Sequence, residues 1–487
     1  MPPWSSMSEP TVAGFRQVDD AAWELPASAR VDMRVPARVF ADRELIGQIA
    51  ADRSLEQLQN VATLPGISGS ALAMPDIHQG YGFPVGGVAA TEPPDGVISP
   101  GGVGYDINCG VRLLALPLSA ADLGGRRPRL MDEIARRVPV GTGHGGALSL
   151  EGAALDRVLV RGPAALLRER GIGTQTDIEH TESEGCLPGA DPVAVSARAR
   201  VRGSDQLGTL GSGNHFLELQ RVSSVIDSDA AAAFGLHLEQ VTVLIHSGSR
   251  GLGHQVCTDH MRTMDAVHGR YGIVLPDRQL ACAPLSSPEG RRYSAAMACA
   301  ANFAWGNRAV LAHRVREAIA KTLGPTVAED TRQIYDVAHN VAKLEHYDDR
   351  LLCVHRKGAT RAFPAGSEQI PGAYRAVGQP VFIPGSMGTS SFVLVGRPGA
   401  MKRSCGTTCH GAGRRMSRTG ARREITGAEL RRRLEQQGIL VRCPSNKGLA
   451  EEAPFAYKDV ERVVAVVERA GLAGRVAQLV PLGVLKG

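Results

Sequence analysis

Apolar and polar positions along the chain predict short strands in its middle, each followed by a turn rich in small residues. Residues 241–245 form a β-branched run that ends on His246, which is typical of a strand. Residues 380–383 and 391–395 predict two more strands, separated by a Gly/Ser-rich loop. Because binding sites are commonly built on such loops, polar side chains near these strand ends are the first candidates for chemistry.

Helical patterns surround these strands. Residues 295–323 contain few helix breakers and have helical apolar spacing, so they predict a long helix. Thr426 and Glu429 have the spacing of a capping box, and Gly438 marks the expected end of that helix. Another helix, closed by Gly471, presents an apolar core stripe formed by Val460, Val463, Val464 and Val467. The predicted class is mixed α/β (α+β): one large domain with a β-sheet core, helices around it and a site on loops at strand ends.

Three regions depart from this regular pattern. Residues 1–30 are poorly patterned and predict a loose N-terminal extension to a domain of residues 31–487. Residues 66–111 are rich in Gly, Pro and Asp, which indicates backbone that bends sharply or approaches a ligand closely rather than a helix. Residues 121–205 alternate between Ala/Arg/Glu-rich and Gly-rich pieces, and predict a peripheral insertion of helices and loops.

Composition narrows the classes of function. With 487 residues, 43% of them hydrophobic, the chain can bury a sizeable core. Aromatic residues make up 4%, which argues against a nucleic-acid surface built on rows of stacking rings, and the net charge of +6 is compatible with a polyanionic partner. No signal peptide or membrane-spanning run is seen, so a cytoplasmic protein without a membrane partner is expected. The nine scattered cysteines are expected to be reduced.

Asp106 and Cys109 are the first candidate metal ligands. They lie three residues apart in a glycine-rich turn, so both side chains can point towards one position. Deprotonated aspartate and cysteine are anionic ligands for a divalent ion, and a thiolate sulfur can bridge two ions. The pair alone leaves the alternative open that Cys109 is a small buried apolar residue.

Three histidines have surroundings that suit metal ligands. His215, His246 and His339 each lie at an end of a β-like run beside small or polar residues. Neutral imidazole is the commonest nitrogen ligand of transition metals, although each histidine alone is more often structural. Together they favour a metal site. No role is predicted for the histidines of helix-like stretches, which are His237, His260, His268 and His313.

His410 is followed by small residues and then by arginines at positions 414, 415 and 418. Small residues let a phosphate approach closely, and guanidinium groups stabilise its oxyanions. An imidazole can also act as the nucleophile in covalent catalysis. The alternative is a basic loop that contacts RNA, in which His410 is incidental. Cys405 and Cys409 could form one ligand pair of a zinc site, but the sequence has no second pair nearby.

Three further segments are candidates for nucleotide or RNA contacts. The loop of residues 384–391 offers hydroxyl groups and open amides for a purine or phosphate, without the Gly-Lys-Ser/Thr of a P-loop. Lys486, the last residue but one, is either a solvated charge at a frayed end or a side chain docked inside by the apolar residues before it. The cations Arg356, Lys357 and Arg361 follow a strand and predict a groove for an RNA backbone.

Taken together, these segments resemble the RtcB family of RNA ligases. The resemblance covers most of the chain, with the first 30 residues outside it and more variable stretches around residues 121–205 and 404–414. It is carried by MPDIHQGYGFPVGGVAA, DINCGVR, GSGNHFLE, HSGSRGLGHQV, YDVAHNVAKLE, VHRKGATRAFP, GQPVFIPGSMGTSSFVLVG, HGAGRRMSR and PLGVLKG, in that order. Several long irregular motifs in one order are far more specific than any single pair of ligands.

The resemblance implies a GTP- and manganese-dependent ligase that joins 3′-phosphate or 2′,3′-cyclic phosphate RNA ends to 5′-hydroxyl ends, in tRNA splicing or RNA repair. It implies one Mn²⁺ on Asp106, Cys109 and His215, and a second on Cys109, His246 and His339. His410 would be guanylylated, and Asp76 would assist catalysis. An activating protein is expected as an additional partner. The implied contacts of the guanine nucleotide are Asn214, His215, Phe216, Leu217, Glu218, His339, Asn340, Pro384, Gly385, Ser386, Met387, Ser391, His410, Gly411, Ala412, Gly413 and Lys486.

Two other functions remain open at this stage. A metal-dependent phosphoesterase acting on cyclic or terminal RNA phosphates would use the same metal ligands, but would leave His410 and Lys486 without a purpose. A non-catalytic RNA-binding protein would use the basic residues of 356–361 and 414–433. The identity of manganese comes from the resemblance alone, since zinc would bind these donors at least as tightly.

Overall fold

The computed structural model describes residues 11–141 and 145–487. These residues form a mixed α/β fold with two large sheets and helices around them, as the sequence predicted. The strands described are β1 (Thr11–Val12), β2 (Phe15–Asp19), β3 (Ala22–Leu25), β4 (Ala37–Phe40), β5 (Ile67–His78), β6 (Val85–Thr91), β7 (Val97–Ile98), β8 (Gly110–Ser119), β9 (Phe216–Val225), β10 (Gln240–Ser247), β11 (Ala283–Pro284), β12 (Arg332–Ala338), β13 (Asn340–Tyr347), β14 (Arg350–Lys357), β15 (Ala359–Arg361), β16 (Pro380–Ile383), β17 (Ser391–Gly396), β18 (Thr407–Cys409), β19 (Leu440–Arg442) and β20 (Ala473–Lys486).

The helices pack around these sheets and between them. Those described are α1 (Arg43–Ile49), α2 (Ser54–Val61), α3 (Ala120–Leu123), α4 (Arg127–Arg137), α5 (Gly152–Arg161), α6 (Pro163–Arg170), α7 (Gln175–Glu179), α8 (Ala197–Gly203), α9 (Ser228–Phe234), α10 (Arg250–Val267), α11 (Pro288–Leu323), α12 (Pro325–Glu329), α13 (Pro398–Ser404), α14 (Arg418–Glu424), α15 (Gly427–Gln436), α16 (Asn446–Glu451) and α17 (Val460–Arg469). Over the described parts of the chain, no helix combines the length and apolar character needed to cross a membrane.

Each large sheet joins distant parts of the chain. The first sheet has the order β1-β2-β3-β4-β5-β6-β14-β13, and the second has the order β12-β8-β10-β9-β20-β17-β16, with β19 beside β20. Nearly all pairings are antiparallel, the exceptions being β4 with β5 and β19 with β20. The C-terminal strand β20 therefore lies inside the second sheet, where Lys486 pairs with Phe216.

The second sheet is buried on both faces. Alternate side chains of its strands point to opposite faces. On one face Leu114 and Val243 pack with residues of α4 and α11, including Ile319. On the other face Leu113 and Leu244 pack in a separate core. Burial on both faces fixes the register of the strands, and with it the positions of the residues at their ends.

The predicted elements are present, with shifts at their boundaries. The long helix α11 begins at Pro288 rather than residue 295, because the Ser287 hydroxyl accepts from the Gly290 amide and caps it. Thr426 caps α15 in the same way, and the valine stripe of α17 is buried as predicted. His246 lies within β10 rather than just after it.

The N-terminal residues correct one prediction. The first ten residues of the predicted loose extension lie outside the described residues. Residues 11–25 form β1, β2 and β3 of the first sheet, and the side chains of Phe15 and Trp23 are buried in its core. Residues 11–25 are therefore part of the first sheet rather than a loose extension. These strands are short and carry few apolar residues, so periodicity gave no clear signal.

Residues 66–111 contain no α-helix, as predicted, but they contain the strands β5, β6 and β7 and a short 3-10 helix at Pro100–Gly102 as well as turns. Gly86 has a φ of +91°, and a Cβ there would lie 2.9 Å from the Cα of Ile77. Only glycine lets β6 pass this close to the end of β5, where Asp76 is located. Residues 120–203 contain helices α3 to α8, in the region where helices and loops were predicted.

Candidate metal and nucleotide site

Five predicted metal ligands meet at one edge of the second sheet. Asp106 and Cys109 lie in the turn that leads into β8, and His215 directly precedes β9. His246 lies near the end of β10, and His339 directly follows β12. Because β12, β8, β10 and β9 are antiparallel neighbours, these four strand ends lie at the same edge. We call these five residues the donor cluster.

The donor cluster divides into two groups that share the Cys109 sulfur. Cys109, His246 and His339 form one group and Asp106, Cys109 and His215 the other, with the donor atoms of each group within 4.8 Å of one another. The Cys109 Sγ lies 3.2 Å from the Nε2 of His246 and 3.4 Å from that of His215. The Nε2 atoms of His246 and His339 are 3.2 Å apart. Ligand atoms about 2.0–2.3 Å from one ion lie roughly 3–4.5 Å from one another, so both groups have suitable spacing.

The protonation states of the donors also fit a cation. Burial lowers the pKa of His246 and His339 well below its usual range, so both imidazoles are neutral and have a free lone pair. Burial would raise the pKa of Asp106, but His215 and Arg250 hold it below its usual value. Burial and the Asp106 charge raise the pKa of the Cys109 thiol. A bound divalent ion offsets this last effect, since coordinating thiols are deprotonated. The donor set therefore fits two transition-metal ions with a shared thiolate.

A buried arginine holds the backbone beside two residues of the donor cluster. Arg308 of α11 donates to both carboxylate oxygens of Asp336, with distances of 2.7 to 3.0 Å. It also donates to the carbonyl oxygens of Asn108 and Ser247, each at 2.8 Å. Arg308 thus ties the turn before β8 to the end of β10. The sequence analysis did not find it, although an arginine within the apolar stretch AWGNRAVL was a usable signal.

His410 is held beside the donor cluster by Asp76. The His410 Nδ1 lies 2.6 Å from the Oδ2 of Asp76, which also accepts from the backbone amides of His410 at 3.0 Å and Gly411 at 3.3 Å. Burial would raise the pKa of Asp76, but His410 holds it below its usual value, so Asp76 is an anion. The ring centroids of His410 and His339 are 5.2 Å apart. With Nδ1 facing Asp76, Nε2 is the His410 nitrogen left for chemistry.

Two further residues support this arrangement and were not predicted. The buried Lys458 ammonium donates to the carbonyl oxygens of Pro75 at 3.2 Å and of Ile77, on either side of Asp76. Gly358 leaves room for the His410 ring, because a Cβ there would lie 3.0 Å from the His410 Cε1. Neither residue stands in a motif that sequence reasoning links to a nucleophile.

A cavity of about 420 Å³, which we call the main cavity, opens between the donor cluster and His410. This volume lies in the range of sites for small molecules. Predicted residues that line it are Asp106, Cys109, Asn214, Phe216, His246, His339, Asn340, Pro384, Gly385, Ser386, Met387, His410, Gly411, Ala412, Gly413 and Lys486. The sequence analysis missed Tyr105, Glu452 and Tyr457, which also line it.

Five predicted site residues do not line the main cavity. Asp76 and His215 lie directly behind His410 and Asp106. Leu217 packs in the core on the α4 side of the second sheet, so its side chain is not brought into the site. Glu218 and Ser391 are buried and both contact the Gln220 amide, at 2.8 and 3.1 Å, while the Ser391 hydroxyl also accepts from Gly385 in the cavity wall.

Lys486 is docked rather than frayed. Its side chain is buried, with the ammonium 3.9 Å from the carboxylate of Glu452 and 5.5 Å from the centroid of the Phe216 ring. Glu452 also accepts from Arg414 at 3.2 Å and from Arg418 at 3.1 Å. The pairing of β20 with β9 fixes Lys486 in the wall of the main cavity.

The predicted RNA groove of residues 354–361 is wrong. Arg356 and Arg361 are buried, and Arg356 forms a two-pronged ion pair with Glu345 at 2.8 and 2.7 Å. The Lys357 ammonium donates to the carbonyl oxygens of Tyr81 and Phe83 at 2.6 and 3.0 Å. Because β14 lies between β6 and β13 in the first sheet, Arg356 and Arg361 are buried and offer no exposed surface to an RNA backbone. Lys357 lies in the wall of the main cavity instead.

Comparisons with known proteins agree with the motifs. The family model described as tRNA-splicing ligase RtcB matches residues 57–487. The chain is 52% identical to the tRNA-splicing ligase RtcB of Archaeoglobus fulgidus over 480 residues, covering 97% of this chain and 99% of the relative. It is 50% identical to the RNA-splicing ligase RtcB of Mycobacterium tuberculosis over 437 residues, covering 88% of this chain and 100% of the relative. The motifs left residues 1–30 outside the resemblance. Because the archaeal match covers 97% of the chain, fewer than 30 residues are unmatched, so this match includes part of residues 1–30.

Proposed function

Because the chain belongs to the RtcB family of tRNA-splicing ligases, we propose that it is an RNA ligase that joins 3′-phosphate or 2′,3′-cyclic phosphate ends to 5′-hydroxyl ends. We further propose that it uses GTP, that the donor cluster binds two Mn²⁺ ions, and that His410 becomes guanylylated. The biological setting would be tRNA splicing or RNA repair, and an activating partner protein would assist. One observation carries the proposal: two donor groups sharing the Cys109 thiol lie beside an imidazole that a buried carboxylate orients.

Asp76 prepares His410 for attack. Its carboxylate lies 2.6 Å from Nδ1 and favours the ring proton there, so the lone pair of Nε2 is available as a nucleophile towards the α-phosphorus of GTP. A bond forms between Nε2 and phosphorus while the bond from phosphorus to the pyrophosphate oxygen breaks. The small residues 411–413 leave room for the phosphate beside the ring. When bound, the two Mn²⁺ ions would polarise the phosphates and screen their charge.

Another part of the wall of the main cavity suits a purine. The loop of residues 384–387 supplies amides and a hydroxyl, Lys486 supplies a buried ammonium, and the Ser391 hydroxyl and Glu218 lie behind that loop. Burial raises the pKa of Glu218 to about 8, so near neutral pH its carboxyl is largely protonated and can both donate and accept a hydrogen bond. The donors and acceptors of residues 384–387 match the edge of guanine, and Glu218 is linked to them through Gln220 and Ser391.

Two transfers complete the reaction. An oxygen of the RNA 3′-phosphate attacks the guanylyl phosphorus, the bond to Nε2 breaks, and the RNA end carries a 3′-to-5′ pyrophosphate link to guanosine. The 5′-hydroxyl of the second RNA then attacks the RNA phosphorus, forms the phosphodiester and releases GMP. A 2′,3′-cyclic phosphate must first be opened by water to a 3′-phosphate. His410 regains its free lone pair when the guanylyl group leaves.

The test is incubation with Mn²⁺ and GTP labelled at the α-phosphate, followed by denaturation. The unaltered protein is expected to keep the label and His410→Ala to lose it, whereas His313→Ala, on the surface of α11, serves as the matched control. The unaltered protein should also join a 3′-phosphate RNA to a 5′-hydroxyl RNA. Opening of cyclic phosphates with no labelled protein under any divalent metal would overturn the proposal in favour of a phosphoesterase.

A further inference from the structure

Three aromatic side chains form a small cluster at the edge of the main cavity. The rings of Tyr105 and His254 are stacked, with centroids 4.8 Å apart and planes inclined by 23°. Tyr81 packs its ring against Tyr105 with centroids 5.5 Å apart. Tyr81 is 36% exposed, His254 is exposed and Tyr105 is half-buried. We call these three residues the aromatic cluster.

This exposure is unusual for the chain. Aromatic residues make up only 4% of it. Among the described residues, the exposed large apolar side chains are aliphatic except for Tyr81 and Tyr271. Tyr271 has its own surface partner, since its hydroxyl donates to Glu289 at 2.6 Å. The aromatic cluster therefore exposes rings at the surface, whereas most aromatic side chains of the described residues are buried.

The aromatic cluster is connected to the donor cluster through a second cavity. This side cavity, of about 200 Å³, is lined by Tyr105, Asp106, Arg202, Ser212, Arg250, Gly251 and His254. Tyr105 and Asp106 also line the main cavity, so the two cavities meet at a predicted metal ligand. The side cavity leads from there to the exposed His254 ring.

A cation lies against the aromatic cluster. The Arg202 guanidinium is 3.4 Å from the Nδ1 of His254 and donates to the Gln255 side chain at 2.9 Å. Arg202 itself is exposed. Exposed rings next to an exposed guanidinium are the combination that binds single-stranded nucleic acid, because the rings stack on a base and the cation pairs with the backbone.

We propose that the aromatic cluster and Arg202 hold the end of an RNA strand by stacking on an unpaired base, with its terminal phosphate or hydroxyl directed through the side cavity to the donor cluster. This inference rests on the proposed function, and it makes the enzyme prefer single-stranded ends. It requires one or two stacked bases rather than a row of rings, so it is consistent with the low aromatic content. The strand is either the 3′-phosphate or the 5′-hydroxyl substrate, and the experiment distinguishes them.

The test compares Tyr81→Ala and His254→Ala with Tyr81→Phe, which keeps the ring, and with Tyr271→Ala, an exposed tyrosine on another part of the surface. KM is measured for each RNA strand with either a normal or an abasic terminal nucleotide. Tyr81→Ala and His254→Ala are expected to raise the KM of one strand by about tenfold, as loss of one stacked base does. The abasic form of that same strand should bind equally weakly to the variants and to the unaltered protein.

An unchanged KM for both strands in Tyr81→Ala and His254→Ala would overturn the inference. A rise that is the same for normal and abasic strands would also overturn it, because it would reflect general damage rather than lost stacking. Failure of the proposed function is seen separately, as absence of guanylylation and ligation in the unaltered protein. In that event, fluorescence anisotropy with labelled single-stranded RNA, normal and abasic, still decides whether the rings bind a base.

Discussion

The donor side of the main cavity comes from four neighbouring strand ends of the second sheet, whereas the His410 side is a loop tied to Asp76 of the first sheet. Several independent contacts hold the donor side in place. Arg308 bridges two of the strand ends, and the core packing fixes the strands themselves. The His410 side depends on one carboxylate that accepts three contacts. We infer that the donor side is rigid and that the His410 side can be altered without disturbing metal binding.

The largest effect is expected from Cys109→Ser, which removes the one sulfur shared by both donor groups. Loss of a ligand common to both ions should reduce guanylylation by about 10³-fold or more, since the ions supply several kcal/mol of stabilisation to the transferring phosphate. The measurement is the initial rate of label transfer from GTP together with Mn²⁺ bound per chain. The control is Cys353→Ser, because Cys353 is also buried but lies in β14 outside the donor cluster. Equal activity in the two variants would contradict a shared metal ligand.

Asp76→Asn should produce the next largest effect and separate the two sides of the cavity. The amide keeps the size of the side chain but removes the charge that orients His410, so guanylylation should fall by about 100-fold. Mn²⁺ binding should remain, because no donor atom is altered. Calorimetric titration with Mn²⁺ beside the rate measurement tests this contrast. A variant that loses metal along with activity would show that the two sides are not independent.

Only some of the residues that form the site can be identified from the sequence alone. The donor residues and His410 could be found because their residue types stand in long irregular motifs with small neighbours. An arginine within an apolar stretch marks Arg308 as unusual, but the contacts of Arg308 and Lys458 could not be predicted, because the fold brings their carbonyl partners near them. The cations of β14 were misinterpreted for the same reason, since the sequence does not reveal that Glu345 of β13 lies opposite Arg356. Short strands at the N-terminus lacked enough apolar residues to be recognised.

Lys486→Met tests the part of the cavity wall that is proposed to hold the purine. Methionine keeps the apolar length but loses the ammonium, so the KM for GTP should rise by about tenfold, the value of one hydrogen bond from a charged group. Glu452 keeps Arg414 and Arg418 as partners, so the fold should tolerate the change. Lys402→Met, at an exposed position of α13, is the control. Parallel loss of Mn²⁺ binding in Lys486→Met would argue against a role confined to the nucleotide.

The smallest effect is expected for Glu218→Gln and concerns stability against pH. Burial raises the pKa of Glu218 to about 8, whereas the unfolded value is near 4.5, so the unfolded chain releases this proton first. The carboxyl therefore costs stability increasingly between pH 4.5 and pH 8, and glutamine removes that cost. The variant should gain about 2 °C in Tm at pH 8 relative to the unaltered protein and little at pH 5. An equal difference at both pH values would contradict a buried, largely protonated carboxyl.

The central claim is that the donor cluster and His410 form one reaction centre. Its most direct test is mass spectrometry of peptides from protein incubated with GTP and Mn²⁺, under conditions that preserve phosphoramidates. We expect a guanylyl group on His410 and no adduct when the metal is removed with a chelator. A guanylyl group on a lysine instead, or modification of His410 that is independent of metal, would contradict it.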